Sequence, residues 1–122
     1  MAIQHLVYST VGSKPLFFLG SSRDDIRAFP KKARQIVGHE LFQIQQGLEP
    51  SNWKPVRTVG SGVCELRVQL KSAFRVLYIA RFAEGIYVLH AFEKRTQRTR
   101  PTDIALARKC LRDLERARRK RP

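Results

Sequence analysis

The stretch that decides the fold lies between residues 63 and 95 and consists of three strand-like segments. They read V-C-E-L-R-V-Q-L (residues 63–70), A-F-R-V-L-Y-I-A (residues 73–80) and G-I-Y-V-L-H-A-F-E-K-R (residues 85–95). Alternation in the first segment places its apolar side chains on one face and Glu65, Arg67 and Gln69 on the other. Short polar turns join the segments, so they predict an antiparallel sheet with one apolar face and one face that carries charge.

Charged side chains recur on these predicted strands, at Glu65, Arg67, Arg75, Lys94 and Arg95. The formal net charge of the protein is +14 and its pI is about 10.9. A strongly basic balance favours a platform for an anion over a solvated face. The alternative for Glu65 and Arg67 is a cross-strand salt bridge that holds the strand register.

Length and composition indicate one globular domain, residues 1–122, with a core that needs no metal or disulfide. Half of the 24 Lys and Arg residues lie between residues 94 and 121, which points to nucleic acid, an acidic protein or an anionic membrane as partner. No segment approaches the roughly 18 apolar residues of a spanning helix, and no signal sequence begins the chain. We therefore expect a cytoplasmic protein without a membrane partner, in which Cys64 and Cys110 are reduced thiols.

The segments before the sheet predict a strand followed by two helices. Residues 1–14 form a lead-in with a possible short strand at 6–8, and L-F-F-L (residues 16–19) is an apolar strand closed by Gly20. Ser21 or Ser22 caps a short helix that ends before Pro30. A second helix is predicted over residues 31–46, from the three-and-four spacing of its apolar positions.

The remaining segments are a loop and a C-terminal helix. Residues 48–56 contain two prolines and are predicted as a loop. Thr102 is predicted to cap the last helix, and its basic tail, residues 116–122, is predicted to fray. The fold class is therefore α+β, and we expect the helices to cover one face of a mainly antiparallel sheet.

The ordered series of motifs resembles the RelE/ParE superfamily of toxins, and within it the HigB-like, phage-derived branch of bacterial type II toxin–antitoxin modules. The resemblance runs over about residues 15–112 and rests on these motifs: K-P-L-F-F-L-G (14–20), D-D-I-R-A-F-P (24–30), Q-Q-G (45–47), W-K-P-V (53–56), E-L-R (65–67), F-R-V-L-Y (74–78) and V-L-H-A-F-E-K-R (88–95). It implies a small RelE-like fold and an mRNA endoribonuclease that acts in the ribosome without metal or cofactor. It also implies a cognate antitoxin, typically a helix-turn-helix protein, as partner.

The chemistry of such a nuclease can be stated independently of the resemblance. Attack by the 2′-hydroxyl of RNA needs a base for that hydroxyl, cations for the phosphorane and a proton donor for the leaving 5′-oxygen. The catalytic candidates are Arg75, Lys94, Arg67, Glu65 and His90. Arg75 matches the strand arginine that binds the scissile phosphate in RelE-like toxins, and we expect it to be exposed, so that its truncation leaves the fold nearly intact.

The other candidates carry open alternatives. Lys94 shares strand parity with His90 and Phe92, and the adjacent Arg95 points the other way. His90 lies in an apolar run, where a lone histidine is more often a packed, hydrogen-bonded core residue. Candidates for contact with RNA or the ribosome are Lys54, Arg57, Arg95, Arg98, Arg116 and Arg119. The histidines and cysteines do not have ligand spacing, so no metal site is predicted.

Two other functions fit the sequence. One is a ParE-like toxin that targets DNA gyrase, although the cations at Arg67, Arg75 and Lys94 favour the ribosome. The other is a nucleic-acid-binding module without enzymatic activity, for which the basic tail alone would suffice.

Overall fold

The computed structural model of the chain describes residues 13–120, so the possible strand at residues 6–8 lies outside the described residues. Its elements are β1 (Leu16–Phe18), α1 (Ser22–Arg27), α2 (Lys31–Gln45), β2 (Trp53–Pro55), β3 (Val63–Gln69), β4 (Ala73–Ile79), β5 (Ile86–Lys94) and α3 (Pro101–Arg119). This is the predicted α+β arrangement of a small RelE-like fold. No helix between residues 13 and 120 has an apolar stretch long enough to cross a bilayer.

The five strands form one sheet in the order β1-β5-β4-β3-β2. The predicted antiparallel pairing of β3, β4 and β5 is confirmed, and β1 joins the edge parallel to β5. The prediction of a loop over residues 48–56 is wrong in part, because β2 pairs there with β3. A three-residue strand that ends in a proline is too short to show alternation, and therefore leaves no signal in the sequence.

The helices cover both faces of the sheet, not one face as the sequence suggested. On one face the apolar side of α2, including Val37 and Leu41, packs against β3–β5 residues such as Val76. On the other face α3 buries Leu111 and Leu114 in a second cluster. The charged face of the sheet is therefore partly covered, and it has an apolar core of its own.

Helix α3 begins one residue earlier and continues further than predicted. Arg100 is the N-cap and Pro101 takes the first helical position, where the missing N–H costs nothing, so the prediction of Thr102 as cap is wrong. The helix reaches Arg119 and does not fray at residue 116. Arg118 binds Glu84 through Nε and Oε2 at 2.7 Å, which ties the last turn to the β4–β5 connection.

A β-bulge in β5 sets which side chains share the charged face. Val88 pairs with Tyr78 and His90 pairs with Leu77, so Leu89 is the extra residue. From His90 onward the strand keeps regular pairing, with Phe92 opposite Arg75. The predicted shared parity of His90, Phe92 and Lys94 is therefore confirmed, and these side chains lie on the face of Arg75.

Candidate active site

Four strands bring cations together on the charged face of the sheet. The residues are Lys54, Arg67, Arg75 and Lys94, with Glu65 among them, and we refer to them as the cationic cluster. The strand register explains the grouping: Lys54 lies opposite Glu65, Arg67 lies opposite Arg75, and Lys94 lies opposite Ala73, two residues from Arg75 on the same face. Lys54 is exposed, and Arg67 and Lys94 are half-buried.

Glu65 and Arg75 form the buried centre of the cluster. The Arg75 Nε lies 3.1 Å from the Glu65 Oε1, and the Arg67 Nε lies 3.5 Å from the same oxygen. Glu65 is 2% exposed and Arg75 is 5% exposed. These contacts have the distances of ion pairs without the angles of hydrogen bonds, and among the described residues none of the three atoms has a hydrogen-bond partner. Buried polar atoms in this state are typical of sites that meet a ligand.

Arg75 is therefore not the exposed strand arginine that the sequence suggested. Its strand is central in the sheet, between β3 and β5, and Glu65 supplies a buried counter-charge. The Arg75 Nη1 also donates to the Phe74 carbonyl at 3.0 Å. The expectation that truncation of Arg75 would leave the fold nearly intact loses its basis, because removal of one member of a buried ion pair leaves the other charge without its partner.

The electrostatics of the cluster favour loss of a proton from Lys94. Burial lowers the pKa of the Lys94 ammonium, and the charges of Arg75, Lys54 and Arg67 lower it further, whereas Glu65 raises it. Burial also lowers the pKa of the Arg75 guanidinium, with Glu65 acting in the opposite direction. A lysine with a lowered pKa is suited to proton transfer, while an arginine stays charged and suits a phosphate.

His90 lies on the same face but is held by carboxylates. Its Nε2 is 2.8 Å from the Asp103 Oδ1, and its Nδ1 is 3.6 Å from the Asp25 Oδ2. The ring is 6% exposed and stacks on Phe92, with centroids 5.6 Å apart. This matches the alternative of a packed, hydrogen-bonded histidine that fastens α1 and α3 to β5, and a direct catalytic role for His90 stays a prediction.

Sequence reasoning missed the residues that hold His90. Arg100 donates from Nε to the Asp103 Oδ2 at 2.9 Å, so Asp103 bridges a histidine and an arginine. Asp25 and Asp103 are far apart in the sequence, and each lies in the first turn of a different helix. No pattern within one element could have joined them.

The candidates for RNA contact occupy two surface regions, apart from Lys54. Arg57 follows β2, and Arg95 and Arg98 lie in the segment between β5 and α3. Arg116 and Arg119 lie on the last turns of α3. All are exposed, and Lys54 alone among these candidates belongs to the cationic cluster. Nothing in the sequence indicated this placement of Lys54, because β2 was not predicted.

The two cysteines and the histidines agree with the absence of a predicted disulfide or metal site. Cys64 and Cys110 are free thiols, and burial raises the pKa of each. In the part of the chain from residue 13 to residue 120, no three His, Cys, Asp or Glu side chains form a group able to hold a metal ion.

No curated protein matches this chain. A family model does match: that of the phage-derived Gp49-like proteins (DUF891), over residues 24–112. The matched range begins inside α1, takes in the cationic cluster and ends inside α3. The chain therefore belongs to the Gp49-like family, which is associated with the toxins of toxin–antitoxin systems.

Proposed function

We propose that this protein is the toxin of a type II toxin–antitoxin module and cuts mRNA in the ribosome without a metal ion, as a member of the HigB-like branch. Toxins of the Gp49-like family are generally ribonucleases. The observation that carries the proposal is the cationic cluster, in which the buried Arg75–Glu65 pair adjoins Arg67 and Lys94.

The cluster suits the transition state of RNA cleavage by the 2′-hydroxyl. The 2′-oxygen attacks phosphorus, its proton passes to a base, the bond to the 5′-oxygen breaks and that oxygen receives a proton. Arg75 and Arg67 stabilise the negative charge that develops on the phosphorane oxygens. Lys94 is our candidate for proton transfer, since its surroundings lower its pKa.

Ribosome binding is assigned to the exposed arginines outside the cluster. Arg95 and Arg98 border the strand that carries Lys94, and Arg116 and Arg119 continue the basic surface along α3. Phosphate contacts of this kind position a protein on RNA without reading its sequence. Toxins of this family typically pair with an antitoxin, and we propose a cognate helix-turn-helix antitoxin as the second partner.

The test is expression of the chain in bacteria, with and without the product of the neighbouring gene. We expect growth and protein synthesis to stop, mRNA to acquire new ends, chromosomal DNA to stay intact, and co-expression of the antitoxin to restore growth. The matched control is Arg34→Ala, which removes one exposed arginine from α2 on the opposite face and should stay toxic.

The same experiment separates the alternatives. DNA breaks with intact mRNA would favour the gyrase-targeting toxin. Normal protein synthesis with tight RNA binding would favour the non-enzymatic nucleic-acid-binding module. Either result would contradict the proposed nuclease.

A further inference from the structure

Glu65 is the acidic member of the cationic cluster, and its surroundings do not suit a general base. A base must reach the substrate hydroxyl within hydrogen-bond distance or through one water. The Glu65 side chain is 3% exposed, and one of its oxygens already faces the Nε atoms of Arg75 and Arg67, at 3.1 and 3.5 Å. Two guanidinium groups therefore cover the carboxylate on the side where RNA would approach.

We propose that Glu65 is a positioning residue, which holds the guanidinium groups of Arg75 and Arg67 for an RNA phosphate and keeps Lys94 charged at a higher pH than the arginines alone would allow. The inference rests on the proposed function of the cluster. It gives the acidic residue a role different from that of the reacting groups.

The geometry supports the positioning part of the role. A guanidinium has five N–H donors, and a partner at Nε leaves its outer nitrogens for a second ligand. On Arg75 one of these, Nη1, donates to the Phe74 carbonyl, which fixes the plane of the group. Since one oxygen of Glu65 faces both arginines, a single carboxylate sets their relative placement.

The charges around Lys94 support the second part. Arg75 on β4, Arg67 on β3 and Lys54 on β2 lower the pKa of Lys94, and burial lowers it most. Glu65 on β3 is the charge that raises it. The strand neighbours Glu93 and Arg95 pair with each other, at 3.3 Å. Removal of the Glu65 charge should therefore shift the titration of Lys94 to lower pH.

The experiment compares Glu65→Gln with the wild type, with Glu93→Gln as control. Both variants replace a carboxylate by an amide, and Glu93 lies next to Lys94 in the sequence but on the opposite face. The measurements are the pKa of the Lys94 side chain by NMR in the folded protein, and the rate of mRNA cleavage against pH on ribosomes.

In Glu65→Gln we expect the pKa of Lys94 to fall and the matching inflection of the rate profile to move to lower pH by the same amount. The rate at its plateau should fall about 100-fold, because the arginines lose their common anchor. Glu93→Gln should leave the titration and the rate unchanged.

Glu65→Asp decides the matter if Glu65→Gln does not fold. It keeps the charge on a side chain that is one methylene shorter, so the titration of Lys94 should stay near the wild-type value while cleavage weakens. Cleavage by Glu65→Asp at the wild-type rate would contradict the positioning role.

Two results with folded Glu65→Gln would overturn the inference. One is an unmoved pKa of Lys94. The other is a rate profile whose acidic limb disappears instead of shifting, since that is the behaviour of a protein that has lost its general base. If the wild-type protein cuts no RNA, the proposed function fails, and the titration of Lys94 alone then decides whether Glu65 has the role described.

Discussion

At the scale of single residues, the sequence predicted which side chains matter better than it predicted their environment. The motif F-R-V-L-Y pointed to Arg75, and the structure places this residue at the centre of the cationic cluster. Its burial could not be predicted, because alternation gives the face of a strand residue but not what covers that face. The partner that makes the burial possible, Glu65, lies on another strand.

The burial of Arg75 changes what its substitution should do. Arg75→Ala removes one partner of a buried pair, so we expect the free energy of unfolding to fall by about 3 kcal/mol as well as a loss of cleavage. The control Arg34→Ala, at an exposed position, should change stability by less than about 0.5 kcal/mol. Urea unfolding of the three proteins measures the effect, and full stability of Arg75→Ala would show that the pair contributes nothing to the fold.

At the scale of elements, long alternating strands were predictable and short or distant pairings were not. The antiparallel β3–β5 unit followed from alternation over seven to nine residues per strand. The parallel addition of β1, the three-residue β2 and the packing of α3 on the second face depend on tertiary contacts that no local pattern contains. Lys54 entered the candidate site with β2, and for that reason its place there was not foreseen.

The C-terminal turn of α3 gives a prediction at this scale. Hydrogen bonds from Arg118 lower the pKa of Glu84 from its ordinary value of 4.5 to about 2, and the Arg118 guanidinium lies 3.6 Å from the centroid of the Phe82 ring. Because the folded-state pKa of Glu84 is depressed, its contribution to stability is present above pH 4.5 and is lost as the pH falls towards 2.

We therefore expect Arg118→Ala to be less stable than the wild type by about 1 kcal/mol at pH 7. The difference should shrink between pH 4.5 and pH 2, which thermal unfolding across a pH series measures. Arg112→Ala, an exposed position on the same helix, is the control. A difference that stays constant over this range would mean that Arg118 acts only through its contact with Phe82.

At the scale of the whole molecule, positive charge does two separate jobs. The net charge of +14 is spread over an exposed basic surface and a partly buried cluster. Exposed cations attract the phosphates of RNA at long range and are screened by salt, whereas the buried group acts on one phosphate at close range. Composition predicted the first job, and only the fold separates the two.

This separation predicts how the exposed arginines of α3 behave. Arg116→Ala combined with Arg119→Ala should weaken ribosome binding and reduce the slope of log affinity against log salt by ~0.7–0.9 for each phosphate that the variant no longer neutralises. These substitutions are preferable to removal of residues 116–122, because truncation would also delete Arg118 and its bond to Glu84. Binding across a salt series measures the slope, and an unchanged slope would mean that this end of α3 does not bind RNA.

The central claim is that the cationic cluster cuts RNA, and Lys94→Ala tests it most directly. The measurement is single-turnover cleavage of mRNA on ribosomes at saturating protein, for the wild type, Lys94→Ala and Arg34→Ala. We predict cleavage by the wild type and by Arg34→Ala, and a rate about 10²–10⁴-fold lower for Lys94→Ala with nearly unchanged ribosome binding. Cleavage by folded Lys94→Ala at the wild-type rate would contradict the account.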